Sequence, residues 1–157
     1  MCIIRNRTTR IKSGAFEQKL FYNTKPDMMN DVHLCYNGNI AATTWTYNNQ
    51  LNGYSYYYDR LNRYTGGYAY VNSEMQVDYQ FSEQFWYDKM GNIRSLWRGD
   101  NQDITDALHL TYNGNQVTNI RDAGISQGLY NTKEYQDKAK NDYNTSVIEM
   151  AYDANGN

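Results

Sequence analysis

The chain has 157 residues, with 15 basic and 17 acidic side chains and a net charge of −2. That length sets an expectation of one domain, and the charge balance argues against a nucleic-acid platform, which carries a basic stripe. Seventeen Tyr and 20 Asn stand beside 11 Gly and a single Pro, a mixture that favours half-buried strands and tight turns over a thick aliphatic core.

Residues 1–14 are polar and basic and read as an irregular lead-in, and Phe16 to Tyr22 as a strand. Residues 24–31, with Pro26-Asp27, read as a loop, so that 1–31 forms a lead-in with one strand. Residues 32–36 and 39–47 are expected to pair around Asn37-Gly38, because a type I′ turn needs positive φ at both central residues. Residues 48–53 form a second turn. Tyr54, Tyr56 and Tyr58 then alternate onto one face, and 63–71 returns, with a bulge at Gly66-Gly67.

A long strand over 76–87, with a break near Ser82-Glu83, precedes its partner at 92–98 and a polar loop at 99–103. Pairing Asp88 with Asn92 would set Tyr87 opposite Ile93, Phe85 opposite Ser95 and Trp86 opposite Arg94, with the guanidinium over the indole. Phe85, Tyr87, Ile93 and Trp97 would then share a face. Residues 107–112 and 115–121 repeat the hairpin around Asn113-Gly114. Leu108, Leu110, Tyr112 and Val117 fall on one side, and His109, Thr111, Gln116 and Thr118 on the other. Residues 124–144 are expected to be loop plus strand rather than a helix over 133–142, and residues 146–152 a last strand. The sum is an all-β chain with one antiparallel sheet of about eight to eleven strands.

No apolar run approaches the roughly 18 residues of a membrane span. Cys2-Ile3-Ile4 ahead of Arg5-Asn6-Arg7 is too short for a signal-peptide core. Cys2 and Cys35 make no framework and read as two free thiols, with a disulfide between them as the alternative. Asp59, Asp88 and Asp153 occur singly at turn starts, so they read as turn caps rather than the paired carboxylates of acid–base catalysis. His33 and His109 lack metal-ligand spacing. Cys35 has His33 nearby but no third group for a nucleophilic triad. The residues therefore point to no enzyme, no cofactor and no metal. The aromatic residues Tyr54, Tyr56, Trp86 and Trp97 are candidates for stacking on sugar rings, against a structural role in cross-strand packing.

The same punctuation recurs along the chain. Tyr36-Asn37-Gly38-Asn39 is followed by Tyr58-Asp59-Arg60-Leu61-Asn62-Arg63 and by Tyr87-Asp88-Lys89-Met90-Gly91-Asn92. Tyr112-Asn113-Gly114-Asn115 and Tyr152-Asp153-Ala154-Asn155-Gly156-Asn157 complete the set. The tyrosines at 36, 58, 87, 112 and 152 are spaced 22, 29, 25 and 40 residues apart. Over residues 32–157 these signatures resemble the Tyr-Asp (YD) repeats of bacterial rearrangement-hotspot (RHS) proteins. The Asn variants are similar to those of RHS-type proteins of Bacteroidetes.

The resemblance implies an antiparallel meander of hairpins forming a curved, open strip, a segment of a β-spiral shell. In its polymorphic-toxin members that shell encloses a C-terminal toxic domain at or outside the cell, and other members act at cell surfaces, including sugar binding and cell contact. Its partners would be adjacent repeats and the C-terminal core or toxin domain of the parent chain, with glycans as a further class. The core motif with self-cleaving aspartates has no match in this sequence. Because the chain stops inside a signature, it reads as a segment of a longer secreted or surface protein. The strand ending at Tyr152 would then leave an apolar edge at Val147, Ile148 and Met150 through which copies self-associate. The alternative is a carbohydrate- or cell-wall-binding module of stacked aromatic hairpins.

Overall fold

The computed structural model describes residues 7–71, 76–100, 103–124 and 150–153. Every regular element among them is a strand: β1 (Arg10–Ser13), β2 (Phe16–Phe21), β3 (Ala42–Tyr47), β4 (Gln50–Tyr58), β5 (Tyr64–Val71), β6 (Gln76–Tyr87), β7 (Ile93–Asp100), β8 (Asp103–Asn113) and β9 (Gln116–Asp122). The strands lie in the sheet in chain order, so the fold is all-β, an open antiparallel meander, as the turn chemistry predicts. Two compact units divide it, Met1–Asp78 and Tyr79–Asn157. The expected strand and loop over 124–144, and most of the one over 146–152, lie outside the described residues.

In the first unit, three short loops follow from backbone conformation. Gly14 at φ 55 closes β1–β2, with Ser13 opposite Phe16. Asn48 and Asn49, at φ 48 and 63, make a two-residue β3–β4 turn between Tyr47 and Gln50, the paired positive φ of a type I′ turn. Asn62, at φ 63, sits in the β4–β5 turn. The lead-in thus holds two strands where one was expected. β1 is exposed at all four residues. With no buried face it shows no alternation in its sequence, and pairing with β2 is what makes it a strand.

The predicted hairpin at Asn37-Gly38 does not form. β2 pairs directly with β3, from Glu17 opposite Thr46 to Phe21 opposite Ala42, and residues 32–41 are not strand. Residues 22–41 instead leave the sheet and return. Cys35 N donates to Tyr22 O at 2.7 Å, and Ala41 N to Phe21 O at 2.8 Å. The excursion carries Met29, fully buried against Ala42 and Tyr70, with Phe21, Val32, Leu51 and Tyr68 packed around them. Burying one such side chain is worth about 1.5–3 kcal/mol, and the local preference of Asn-Gly for a hairpin gives way to it. Tyr57 and Tyr70 hydroxyls both donate to the carbonyl of Asp31, at 3.1 and 3.2 Å, holding the excursion onto that face.

In the second unit, β6 pairs with β7 with Tyr87 opposite Ile93, as expected, but a bulge follows. Arg94 is the extra residue, so Trp86 faces Ser95 and Phe85 faces Leu96. The predicted Trp86–Arg94 pair is therefore off by one. Trp97 moves to the face of Gln84 and Trp86, away from Phe85. Like bulges follow Tyr58, where Thr65 is extra, and flank Tyr112, where Thr118 is extra. In the first of these the extra residue is the neighbour of the Gly66-Gly67 pair to which the sequence assigned the bulge. β6 runs unbroken through Ser82-Glu83, with the distortion at Phe81, φ 65. The expected loop at 99–103 shrinks, since β7 reaches Asp100 and β8 starts at Asp103. The β8–β9 turn centres on Gly114-Asn115 rather than Asn113-Gly114, with Asn113 opposite Gln116. Leu108 is buried between Leu96 and Asp122 on neighbouring strands. Asp106, 2% exposed, is bonded by Arg98 at 2.6 Å.

Candidate functional site

The Tyr-Asp signatures are where the sequence concentrates its pattern, and the two Asp copies at the hairpin turns agree bond for bond. Asp59 N donates to Arg63 O and Asp88 N to Asn92 O, each at 2.9 Å. Asn62 N donates to Asp59 O at 3.0 Å and Gly91 N to Asp88 O at 3.3 Å. Oδ1 of Asp59 accepts from Leu61 N and Arg63 N at 2.8 and 2.9 Å. Oδ1 of Asp88 accepts from Met90 N and Asn92 N at the same two distances. The second oxygen is taken by the residue four places on: Arg63 Nε at 2.6 Å in one copy, Asn92 Nδ2 at 2.9 Å in the other.

The residue between needs a left-handed backbone, and Asn62 (φ 63) and Gly91 (φ 96) supply it. Partial burial pushes both carboxyls up, but the bonds from residues 61 and 63, and from 90 to 92, together outweigh it and hold each below the usual carboxylate range. A carboxylate engaged in this way caps its turn.

The tyrosines do the second half of the work. The hydroxyl of Tyr58 donates to Ile40 O at 3.0 Å, that of Tyr112 to Ile93 O at 2.7 Å and that of Tyr152 to Val117 O at 2.9 Å. Tyr58 and Tyr112, at the end of the second arm of their hairpins, reach a carbonyl at or just before the start of the first arm, and Tyr152 reaches the carbonyl near the start of β9. Tyr22, which no signature included, does the same to Thr8 O at 2.9 Å. A backbone bond accompanies the closures at Tyr22, Tyr58 and Tyr152. Leu20 N donates to Thr9 O at 3.0 Å, Tyr56 N to Ala41 O at 2.9 Å and Met150 N to Thr118 O at 3.4 Å. The donor always stands two residues before the tyrosine, and its acceptor one residue after the tyrosine's. Residues 150–152 thus lie along β9 in the register that Tyr56 to Tyr58 hold along the start of β3. Burial pushes the Tyr58 and Tyr112 hydroxyls above their ordinary pKa, which keeps them protonated donors.

Tyr36-Asn37-Gly38-Asn39 is a different object. Tyr36 is 74% exposed. Asn37 Oδ1 accepts from Asn39 N at 3.0 Å, and Gly38 stands at φ 115. The Asn37 side chain donates to Asn62 Oδ1, joining the excursion to the Asp59 turn. Asn92 Nδ2 makes the corresponding reach to Gly114 O and Asn115 Oδ1, at 3.4 and 3.5 Å. The true first copy is Tyr22-Asn23. Its signal was the same Tyr-Asn dipeptide, at the end of an apolar run, that recurs at 112–113. Asp153 ends the described residues, and Gly156 and Asn157 lie outside them.

The aromatic candidates separate into two groups. Trp45, Tyr54 and Tyr56 form a near-parallel stack, with centroids 5.8 and 6.0 Å apart and planes at 18° and 9°. Tyr64 follows, tilted against both Tyr56 and Tyr58. These rings use their faces on one another. Tyr56 also shares a hydrogen bond with Thr43 Oγ1 at 3.1 Å. Trp86, in the second unit, is 49% exposed, with Trp97 diagonal to it on the same face. His33 stands edge-on to Tyr57 at 4.8 Å, and His109 is exposed opposite Ser95 and Arg121. Cys35 is a free thiol, its pKa raised by burial. No group of three or more metal-ligating side chains occurs among the described residues, nor any helix long and apolar enough to cross a membrane. Comparison of the chain with protein-family models, with curated proteins and with solved structures found no match.

Proposed function

We propose that this chain is a non-catalytic structural segment of an RHS-type YD-repeat strip, which encloses or displays a C-terminal toxin or effector domain of its parent protein, at or outside the cell. The observation that supports this reading is the recurrent closure. Three hairpins, β1–β2, β3–β4 and β7–β8, are shut at their open ends by a tyrosine hydroxyl on a backbone carbonyl, Tyr152 makes the same kind of bond to β9, and two Asp turns share one bond pattern. Such closure makes each hairpin a unit that stacks on the next, the property a strip of variable length needs. The test is the reading frame around the segment. A run of further signatures followed by an unrelated domain, protected from protease until the strip is cut, is the expected result. A frame without further signatures overturns the reading.

The second reading, a carbohydrate- or cell-wall-binding aromatic module, draws on the exposure of Trp86. A glycan array probed with the wild-type chain and with Trp86→Ala tests it: binding lost in the variant favours it over a purely structural role.

A further inference from the structure

Three asparagines among the described residues stand directly before glycine: Asn37, Asn52 and Asn113. Such pairs share a spontaneous chemistry. The main-chain nitrogen of the glycine attacks Cγ of the asparagine and closes a five-membered imide. The Cγ–Nδ2 bond breaks, and ammonia leaves with the proton of the glycine amide. Water then opens the imide at either carbonyl, giving aspartate or its β-linked isomer, isoaspartate. Glycine favours the step because no Cβ crowds the attacking nitrogen. The local sequence is thus equivalent at the three positions, and the fold is what separates them.

Asn52 lies inside β4, opposite Trp45, and the following Gly53 is buried between Thr44 and Tyr70 on the neighbouring strands. Closing the ring there means turning Gly53 out of two ladders at once. Asn37 is exposed, but both ends of its side-chain amide are held. Oδ1 accepts from Asn39 N at 3.0 Å, and Nδ2 donates to Asn62 Oδ1. Asn113 is the last residue of β8 and is exposed together with Gly114 and Asn115. Its pair with Gln116 ends the ladder, so opening it disturbs that pair and no other. The Asn113 side chain has no hydrogen bond among the described residues. Gly114 stands at φ 62, and beyond its chain neighbours nothing lies within 4 Å of where a Cβ would be. That side of the turn is open to water.

We propose that Asn113 is a self-modifying site, converted through the imide to aspartate and isoaspartate well ahead of Asn37 and Asn52. Both products place a carboxylate where the chain is made with a neutral amide, so the tip of the β8–β9 hairpin gains a negative charge. The isomer does more. Its main chain runs through the former side chain, and a methylene enters a two-residue turn whose geometry fixes the register of both strands. The Asn113–Gln116 pair is lost, and with it the bonds of Asn92 Nδ2 to Gly114 O and Asn115 Oδ1, at 3.4 and 3.5 Å. The change acts on the second unit. It follows from the geometry of one turn and does not depend on the repeat reading, which the reading frame tests separately.

The experiment is to age the full chain at mildly alkaline pH, folded and in urea, and to follow each asparagine by peptide mass spectrometry. Methylation by an isoaspartate-specific carboxyl methyltransferase counts the isomer. In the folded chain Asn113 should convert about tenfold faster than Asn37 or Asn52, whose rates carry the cost of local opening. In urea the three rates should converge. Asn62→Gly keeps the left-handed turn but removes the acceptor of Asn37 Nδ2, so it should speed Asn37 and leave Asn113 unchanged. Amide shifts in the aged protein should gather at residues 92 and 112–117. Thermal melts verify that the variant is folded, and the wild-type rates decide the matter without it. Equal rates in the folded chain, a faster rate at Asn37 or Asn52, no conversion at Asn113, or a ranking that survives urea would each overturn the assignment.

Discussion

The two units close their sheets by different means. In the first, a piece of chain folds over one face. Met29, Ala42 and Tyr70 are buried there, with Tyr57 and Tyr70 tethering the cover through Asp31. In the second, Leu108 is the one buried apolar residue among those described, and two carboxylates are buried with it. Asp106 is matched by Arg98, and Asp122 accepts from Ala107 N at 3.0 Å and Gly124 N at 2.8 Å. The first unit rests on apolar burial, which leaves no buried charge to be matched among the described residues. The second rests on polar groups that must stay matched, because a buried charge without partners costs more than a missing methyl group.

Breaking each closure separately sharpens the contrast. Met29→Ala should have the largest effect. It leaves a cavity under the excursion and costs about 2–5 kcal/mol, read as lost amide protection in residues 7–71 with the second unit unchanged. Arg98→Met attacks the other unit. It should cost about 2 kcal/mol in urea unfolding, below the range of about 3–5 for fully buried pairs because Arg98 is half exposed, and it should leave protection around Met29 intact.

Gly124→Ala comes next, at about 1–2 kcal/mol for overpacking. A Cβ there would meet the backbone oxygen of Thr105 at 2.3 Å, so the strand must shift. Gly67→Ala in the first unit should cost less, because the obstacle at the same distance is the far end of the Tyr64 side chain, which can swing aside. Removing one closure hydroxyl by Tyr112→Phe should cost about 0.5–1.5 kcal/mol and speed amide exchange at the 93–112 end of the hairpin.

The smallest effect is expected just above pH 10. Burial raises the folded-state pKa of Tyr57, Tyr58 and Tyr70 in the first unit and of Tyr112 in the second. The stability these tyrosines contribute is complete below their unfolded value of about 10 and lost as pH rises through the higher folded values. The first unit, with three of the four, should soften first in a pH series of exchange measurements. On the acid side, Asp59 and Asp88 have lowered folded-state pKa values. Their contribution is present above about 3.9 and lost as pH falls through those values, one from each unit.

Much of this was legible in the sequence because it is local. Asp59 and Asp88 cap turns through bonds that span four residues, so the signature contains donors and acceptor together. What failed was nonlocal. Asn37-Gly38 is a strong hairpin signal, but the burial of Met29, eight residues earlier, takes the chain elsewhere. The bulges at Thr65, Arg94 and Thr118 add one residue to one strand, and a single added residue moved Trp86 from Arg94 to Ser95. β1 has no buried face and so left no pattern. Asn113 could not be told from Asn37 and Asn52, because all three precede glycine and only the folded surroundings of each set them apart.

The tyrosine closure has an asymmetry with an evolutionary consequence. Its donor must be a tyrosine, but its acceptor is a main-chain oxygen, which Thr8, Ile40, Ile93 and Val117 supply equally well. Half of every clasp is therefore silent to mutation. Substitutions on the accepting side drift freely, and segments as long as residues 23–39 can be gained between one closure and the next without breaking either. Descendants of such a chain would keep their hairpins long after their sequences had ceased to resemble one another.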